Sequence, residues 1–223
     1  MRLNLSQHDE PGTLIVMCGP DGSGKTTLET GLLARLSEHG APTDLIMQPT
    51  DWWRGDRRVQ ANMVGATGAL HPLALALFGL ADRIDQQENV IKPALSAGRC
   101  VLSNRYLLSL VAHYLTTREI DQDDLRALYS RIIAPDVLVV LDAPTEVLLD
   151  RVVSRDGADS RRWDQQRSFV QRNRDAFRRL ADDNGGLVLS TQDPADQVLD
   201  TVWNAVVPRL NAAGRAEPPR VAR

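Results

Sequence analysis

The chain has 223 residues, of which 25% are charged, and a net charge of −3, which excludes a general basic surface for nucleic acid polymers. Its hydrophobic content of 43% suits one globular domain with a substantial core. The longest apolar run, residues 73–81, is shorter than the ~20 residues that span a bilayer. Residues 1–12 are polar and lack the apolar centre of a signal peptide. We therefore expect a cytoplasmic protein with no membrane segment and no nucleic acid polymer as partner.

Predicted strands and helices alternate along the chain. We expect strands at 13–18, 43–47, 100–103, 137–141 and 186–190. The helices are expected at 28–36, 73–95, 106–115, 123–132, 145–153, 165–181 and 195–210. Short apolar strands that alternate with helices are typical of an α/β fold, with a parallel sheet covered by helices on both faces. We predict one domain over residues 1–213 and a disordered tail at 214–223.

The loop between the first strand and the first helix carries the strongest motif. From Gly19 to Thr27 it reads Gly-Pro-Asp-Gly-Ser-Gly-Lys-Thr-Thr, which matches the phosphate-binding pattern Gly-x4-Gly-Lys-Ser/Thr in its required strand–loop–helix context. Glycines let backbone N–H groups turn toward phosphate oxygens, and the helix N-terminus adds partial positive charge. Lys25 can reach the β and γ phosphates, and Thr26 can offer a hydroxyl to Mg²⁺. The predicted nucleoside triphosphate site consists of Gly19, Gly22, Ser23, Gly24, Lys25, Thr26 and Thr27.

Two cysteines are present, Cys18 and Cys100. Cys18 ends one predicted strand and Cys100 begins a parallel one, which places them at opposite ends of the sheet and too far apart for a disulfide. No His/Cys cluster has the spacing of a metal site.

Three further segments follow in a specific order. The first is Ala-Asp-Arg at 81–83 with Val-Ile-Lys-Pro-Ala-Leu-Ser-Ala-Gly at 90–98, and the second is Asn-Arg-Tyr at 104–106, continuing to His-Tyr at 113–114. The third is Leu-Asp-Ala-Pro-Thr-Glu at 141–146, followed by Arg151, Arg155, Arg161, Phe169 and Phe177. Together with the phosphate loop, these segments resemble bacterial thymidylate kinase over residues 13–205.

The resemblance implies a P-loop nucleoside monophosphate kinase with a five-stranded parallel sheet and a mobile, arginine-rich lid at about 154–164. It implies transfer of the γ-phosphoryl group from MgATP to dTMP, a small-molecule acceptor, in a homodimer. The loop residues 20–23 include no arginine, whereas the lid segment contains several. The chain therefore resembles the lid-arginine, bacterial form of the family.

The resemblance also implies roles for single residues. Lys25, Arg105, Arg161, Arg155 and Asp21 would take part in catalysis, with the lid arginines supporting the transferring group. Arg151 would contact the donor nucleotide, and Thr26 and Asn104 would serve Mg²⁺. The acceptor nucleotide would be bound by Asp21, Gln48, Trp52, Arg83, Arg105, Tyr106, Ser109, His113 and Tyr114.

Several positions depart from the family pattern, and they cluster at the acceptor and the metal. Asn104 stands where the family has aspartate, and Met-Gln-Pro at 47–49 replaces Arg-Glu-Pro. Gly79 stands where an aromatic is expected four residues before Arg83, and His-Tyr at 113–114 replaces Tyr-Gln. We interpret these changes as an altered base pocket, in which Trp52 or Trp53 supplies a stacking face, although packing is the commoner role for a tryptophan.

Three functions stay open at this stage. The first is a dTMP kinase, and the second is a kinase of the same chemistry with another or a modified deoxynucleotide as acceptor. The third is a nucleotide-binding switch or slow ATPase with no small acceptor. Asp142 is expected to hold its loop. The arginines of the predicted helix 165–181 are expected on a solvated face: Arg172, Arg174, Arg178 and Arg179.

Overall fold

A computed structural model describes residues 1–64, 66–121, 123–156 and 166–213 of the chain. The strands are β1 (Thr13–Cys18), β2 (Thr43–Met47), β3 (Cys100–Asn104), β4 (Val137–Asp142) and β5 (Leu187–Ser190). The first helices are α1 (Lys25–Glu38), α2 (Asp51–Gly55), α3 (Arg57–Val64), α4 (Pro72–Gln86) and α5 (Lys92–Ser96). The others are α6 (Leu107–Thr117), α7 (Asp123–Tyr129), α8 (Thr145–Asp156), α9 (Arg167–Asp183) and α10 (Ala195–Ala213).

The five strands form one parallel sheet in the order β2-β3-β1-β4-β5, which confirms the predicted α/β architecture. β1 is central, and its register places Met17 beside Asn104 on one side and Val139 on the other. The carboxyl ends of all five strands therefore meet at one edge. In open parallel sheets, ligands bind beyond this edge.

Alternate residues of the strands pack into two separate cores. On one face, Leu14 and Val16 pack with side chains of α4, α6 and α9. On the other face, Ile15 and Met17 pack with side chains of α1 and α10. Because successive side chains of a strand point to opposite faces, apolar residues throughout β1 require helices on both sides of the sheet. Cys18 and Cys100 are buried free thiols, as predicted.

The predicted helix at 73–95 is interrupted by one π-helical turn, Gln87–Ile91. Pro93 has no N–H to donate to the preceding turn, which favours a local change in the hydrogen-bond pattern. The Gln87 amide, inside this turn, accepts from the Ile133 N–H at 2.8 Å and donates to the Arg131 carbonyl at 2.9 Å. The turn thus connects α4 to the segment before β4. Among the helices that the structure describes, none has both the length and the apolar character to cross a membrane.

The N-terminal residues pack against the amino ends of the strands. Ser6 exchanges backbone hydrogen bonds with Ile132 and Ala134. The His8 Nε2 lies 3.3 Å from the Asp136 carboxylate, which also accepts from the Leu14 N–H at 2.8 Å. Asp136 raises the pKa of His8 above 6.5 against the opposing effect of burial. Burial alone would raise the pKa of Asp136, but the interactions with His8 and the Leu14 N–H bring it below 3.8.

We predict a pH-dependent stability contribution from this pair. A raised histidine pKa stabilises the fold below pH 6.5 and loses its effect as the pH rises through the folded value, whereas a lowered aspartate pKa acts above pH 3.8. His8→Gln should therefore lower the free energy of unfolding by up to about 1 kcal/mol at pH 5.5. The difference should shrink at pH 8.5. Chemical denaturation at both pH values measures it, and an equal loss at both would contradict the pairing.

Candidate active site

The loop between β1 and α1 has the backbone that its glycines predict. Gly19 and Gly22 have φ values of +142° and +80°. A Cβ on Gly19 would lie 2.4 Å from the Leu141 carbonyl oxygen, and one on Gly22 would lie 2.6 Å from that of Leu148. Both positions therefore require glycine. Ser23 is fully buried, and Thr26 and Thr27 lie exposed in the first turn of α1.

The Lys25 ammonium is held inside this loop. It donates to the carbonyl oxygens of Gly19 at 3.0 Å and Pro20 at 2.7 Å. It also lies 4.0 Å from the Asp21 carboxylate. Burial, together with the nearby charge of Arg105, lowers the pKa of Lys25 to about 7. An added negative charge nearby would favour the protonated, positively charged form of this lysine and raise its pKa. This behaviour suits a phosphate-binding lysine.

Arg105 connects the phosphate loop to the end of β3. Its backbone is left-handed, with φ of +71°, a conformation that costs a non-glycine residue about 1 kcal/mol or more. Its N–H donates to the Met17 carbonyl at 2.8 Å, and its own carbonyl accepts from the Ser103 hydroxyl at 2.6 Å. This backbone places the guanidinium against the Asp21 carboxylate, to which it donates. Burial alone would raise the pKa of Asp21, but Arg105 and Lys25 lower it to about 2.

The structure therefore brings Asp21, Lys25 and Arg105 together, as predicted. The Lys25 ammonium of the loop and the Arg105 guanidinium after β3 both lie close to one carboxylate, that of Asp21, at the carboxyl end of the sheet. We call these three side chains the phosphate cluster. Asp21 is ionised at neutral pH and offsets the charge of Arg105, and an approaching anion favours the charged form of Lys25.

Two arginines of α8 approach the same loop. Arg151 donates to the Gly22 carbonyl at 3.1 Å and to the Thr191 hydroxyl at 2.9 Å. Arg155 makes a bidentate interaction with Asp156, and its charge acts on both Asp21 and Lys25. Arg161 and most of the predicted lid lie outside the described residues.

Asn104 occupies the end of β3, beside the phosphate loop. Its amide nitrogen donates to the Glu29 carboxylate at 2.7 Å. This bond orients the amide and leaves its oxygen as an acceptor. Glu29 was not a predicted site residue; its only sequence signal is its place on α1, one turn after Thr26.

Arg83, on α4, lies close enough to Cys18 and Arg105 to interact with them electrostatically. It is only 3% exposed, and its Nη1 donates to the Gly79 carbonyl at 2.6 Å. Burial lowers its pKa to about 10. Ser109 lies within 3.7 Å of the Cys18 sulfur. Both residues thus reach the same edge of the sheet as the loop.

The remaining predicted acceptor residues occupy different environments. Tyr106 and Tyr114 are buried in the core, and the Tyr106 hydroxyl donates to the Ile133 carbonyl at 3.0 Å. Both rings therefore expose little surface, and their roles at the acceptor stay predictions. His113 lies 4.8 Å from the Tyr114 ring and 6.5 Å from that of Phe169, and burial lowers its pKa to about 4. The His113 imidazole is therefore neutral at pH 7 and can form a hydrogen bond with a ligand without adding a charge to the site.

Gln48 is fully buried, and its amide nitrogen donates to the Gln86 side chain at 3.0 Å. The loop that follows is fixed by Thr50, which donates to the buried Asp82 carboxylate through its N–H and its hydroxyl. Two arginines that follow this loop have partners within the protein. In the structure Arg54 donates to the Pro49 carbonyl at 2.8 Å, and Arg58 pairs with Asp56.

The two neighbouring tryptophans lie in different places. Trp52 is 59% exposed and packs edge-to-face on Phe78 at 4.7 Å. The Trp53 indole nitrogen is buried and borders Gly79 and Arg83. Of the two, Trp53 is therefore the one beside Arg83, and a base contact by either tryptophan stays a prediction.

Asp142, at the end of β4, is bound by α9. The Arg174 guanidinium forms two hydrogen bonds with this carboxylate, at 2.7 and 2.8 Å, and Arg178 donates to it at 2.8 Å. The expectation that Arg174 and Arg178 are only solvated is wrong, because α9 packs its polar face over the strand end. Asp142 holds this edge together, as predicted.

Comparison with known proteins agrees with this arrangement. A family model described as thymidylate kinase matches residues 18–202. The chain is 33% identical over 210 residues to a thymidylate kinase of Bradyrhizobium sp. strain BTAi1, covering 91% of this chain and 92% of that protein. It is 32% identical to thymidylate kinases of Solidesulfovibrio magneticus, over 84% of this chain and 95% of that one, and of Thermomicrobium roseum, over 90% and 96%. The chain has a phosphate loop, an arginine after the end of β3, and this similarity along nearly its whole length. It therefore belongs to the thymidylate kinase family of nucleoside monophosphate kinases.

Proposed function

We propose that this protein transfers the γ-phosphoryl group of ATP to dTMP, giving ADP and dTDP. The observation that carries the proposal is the phosphate cluster. Lys25 belongs to the loop that binds the donor, and Arg105 follows a different strand, yet both contact or approach the Asp21 carboxylate. Two anions can therefore be held side by side, as transfer between two phosphates requires.

On the donor side, the loop supplies backbone N–H groups, the α1 N-terminus and the Lys25 ammonium. Arg151 connects α8 to the loop through the Gly22 carbonyl. From this position its guanidinium can contact the donor nucleotide. Arg155 is close enough to act on the charges of the cluster. We propose that Arg155 and Arg161 stabilise the transferring group when the lid segment closes.

On the acceptor side, Arg105 would bind the phosphate of dTMP, for which its planar guanidinium is suited. Arg83, Ser109 and His113 lie farther along the same edge and would surround the sugar and base. The acceptor phosphate is already a nucleophile, so the reaction needs alignment and charge stabilisation more than a general base. Asp21, ionised and held by two cations, fits an electrostatic and positioning role.

We also propose Mg²⁺ as the metal of this site. Within the described residues no group of three or more His, Cys, Asp or Glu side chains could form a metal cage, but Mg²⁺ in kinases is bound largely by phosphates and waters. Thr26 would supply its hydroxyl, and the free oxygen of Asn104, with Glu29 behind it, would accept from metal-bound water. When bound, Mg²⁺ neutralises charge on the β and γ phosphates.

A switch or simple ATPase is less consistent with this geometry, because it has no need for Arg105 and Arg83 beyond the donor loop. A kinase with a different acceptor stays a second candidate. The observation in its favour is the environment of Gln48, which is bonded to Gln86 and brings no positive charge to the end of β2. Homodimer formation is a further proposal that rests on the family resemblance, and a cytoplasmic location is one that rests on the polar N-terminal residues and the short apolar runs of the sequence.

Coupled measurement of ADP release across a panel of nucleoside monophosphates, with an acceptor-free control, tests the proposed function. We expect the highest kcat/KM with dTMP and little hydrolysis without acceptor. Arg105→Gln should lower kcat/KM for dTMP about 100-fold, whereas Arg126→Gln, a surface change on α7, should have little effect. Turnover independent of any acceptor, or a clear preference for another monophosphate, would refute the assignment.

The Asn104–Glu29 contact gives a prediction for Mg²⁺. Asn104→Asp replaces an amide donor with a second carboxylate beside Glu29, so the thermal midpoint without Mg²⁺ should fall by about 3 °C, equivalent to roughly 1 kcal/mol. Mg²⁺ with ATP should restore the midpoint more in the variant than in the wild type. Asn104→Ala, which adds no charge, is the matched control. If Mg²⁺–ATP stabilises both variants equally, residue 104 does not face the metal.

A further inference from the structure

The space beside Gly79 is occupied by an unexpected side chain. A Cβ on Gly79 would lie 3.0 Å from the Leu110 Cδ1, 3.5 Å from the Arg83 Nη1 and 3.6 Å from the Trp53 Nε1. A ring attached at position 79 would therefore meet these groups. The indole of Trp53, which comes from α2, lies where α4 offers no side chain of its own.

Two buried donors at this place have no hydrogen-bond partner among the described residues. They are the Trp53 Nε1 and the Arg83 Nε. A buried donor without a partner costs about 1–3 kcal/mol, and such groups are rare in folded proteins unless something else binds them. The Trp53 Nε1 and the Arg83 Nη1 both border the same point near Gly79, so a ligand atom at that point would meet the indole donor beside a buried cation.

Neighbouring contacts hold both donors in place. The Arg83 Nη1 bonds to the Gly79 carbonyl, which fixes the plane of the guanidinium. The Thr50–Asp82 hydrogen bonds tie the start of α2 to α4, which fixes the approach of Trp53. The Asp82 carboxylate, adjacent in the chain to Arg83, is thus hydrogen-bonded to Thr50. The donors are thus preorganised for an acceptor atom.

We propose that Trp53 is a specificity-determining residue of the acceptor site, and that its indole N–H donates to a carbonyl oxygen on the acceptor's base, beside Arg83. This inference rests on the proposed function of the site. Its ligand class is a pyrimidine monophosphate with an oxo group at position 4. A carbonyl oxygen has two lone pairs for two donors, whereas an amino group at that position would face them with its own N–H. The pair therefore selects oxo over amino pyrimidines.

Trp52 does not meet these conditions. Its ring is largely exposed and packs on Phe78, whereas the three heavy atoms nearest to a Cβ on Gly79 come from Leu110, Arg83 and Trp53. The two adjacent tryptophans consequently offer a clean comparison. Trp203 offers a second one, because it lies on α10, on the other face of the sheet, against His39.

The test uses Trp53→Phe, which keeps an aromatic ring and removes the donor. We expect KM for dTMP to rise about tenfold, the effect of about 1.4 kcal/mol, while kcat changes less than about twofold. The preference for dTMP over dCMP, as a ratio of kcat/KM, should fall by a similar factor. Trp203→Phe should change neither quantity. In the ¹⁵N-labelled wild type, dTMP should shift the indole resonance that is missing from Trp53→Phe.

Three outcomes would overturn the inference. They are an unchanged KM and dTMP/dCMP ratio in Trp53→Phe, an equal loss for dTMP and dCMP, and a large effect confined to Trp52→Phe. Calorimetric dissociation constants separate this inference from the proposed function. If the wild-type protein binds dTMP but forms no ADP from ATP in its presence, phosphoryl transfer is refuted. The dissociation constants of Trp53→Phe for dTMP and dCMP would then decide the role of Trp53. Failure to bind any 4-oxo pyrimidine monophosphate would refute both.

Discussion

The contact between Asp21 and Arg105 is the constraint on which the site depends. It joins a loop that follows β1 to Arg105, which follows β3 and has a left-handed backbone conformation. The parallel register makes this possible, because Met17 and Asn104 are paired and the two strands end side by side. The Lys25 ammonium and the Arg105 guanidinium are thereby placed around one carboxylate, which offsets their mutual repulsion. The proposed function assigns the lysine to the donor phosphates and the arginine to the acceptor phosphate.

Other polar contacts fix the same edge of the sheet. The Arg83–Gly79 bond and the Thr50–Asp82 bonds fix the surroundings of α2 and α4, and the α9 arginines hold the end of β4 through Asp142. These contacts connect helices to strand ends rather than to the middle of the sheet. The two apolar cores provide rigidity, and the polar contacts at the carboxyl edge determine where each functional side chain lies.

Much of this could be predicted from the sequence, because it depends on local patterns. The apolar strands and the phosphate loop follow from residues close together in the chain. The position of Trp53 beside Gly79 and the hydrogen bond between Glu29 and Asn104 could not be predicted. Each depends on how a helix is rotated against an element distant in sequence. Similarly, Arg174 and Arg178 look like surface residues until α9 is placed over Asp142. Residue 161 lies outside the described part of the chain, and its role stays a prediction.

The most direct test of the account is binding of an analogue that links adenosine and thymidine through five phosphates, measured by calorimetry. If the phosphate cluster holds donor and acceptor together, this analogue should bind at least about 100-fold more tightly than ATP or dTMP alone, because the second binding event becomes intramolecular. Arg105→Gln should remove most of this gain while leaving ATP affinity nearly unchanged. Binding no tighter than that of ATP would show that the two phosphate sites are not adjacent, and would contradict the account.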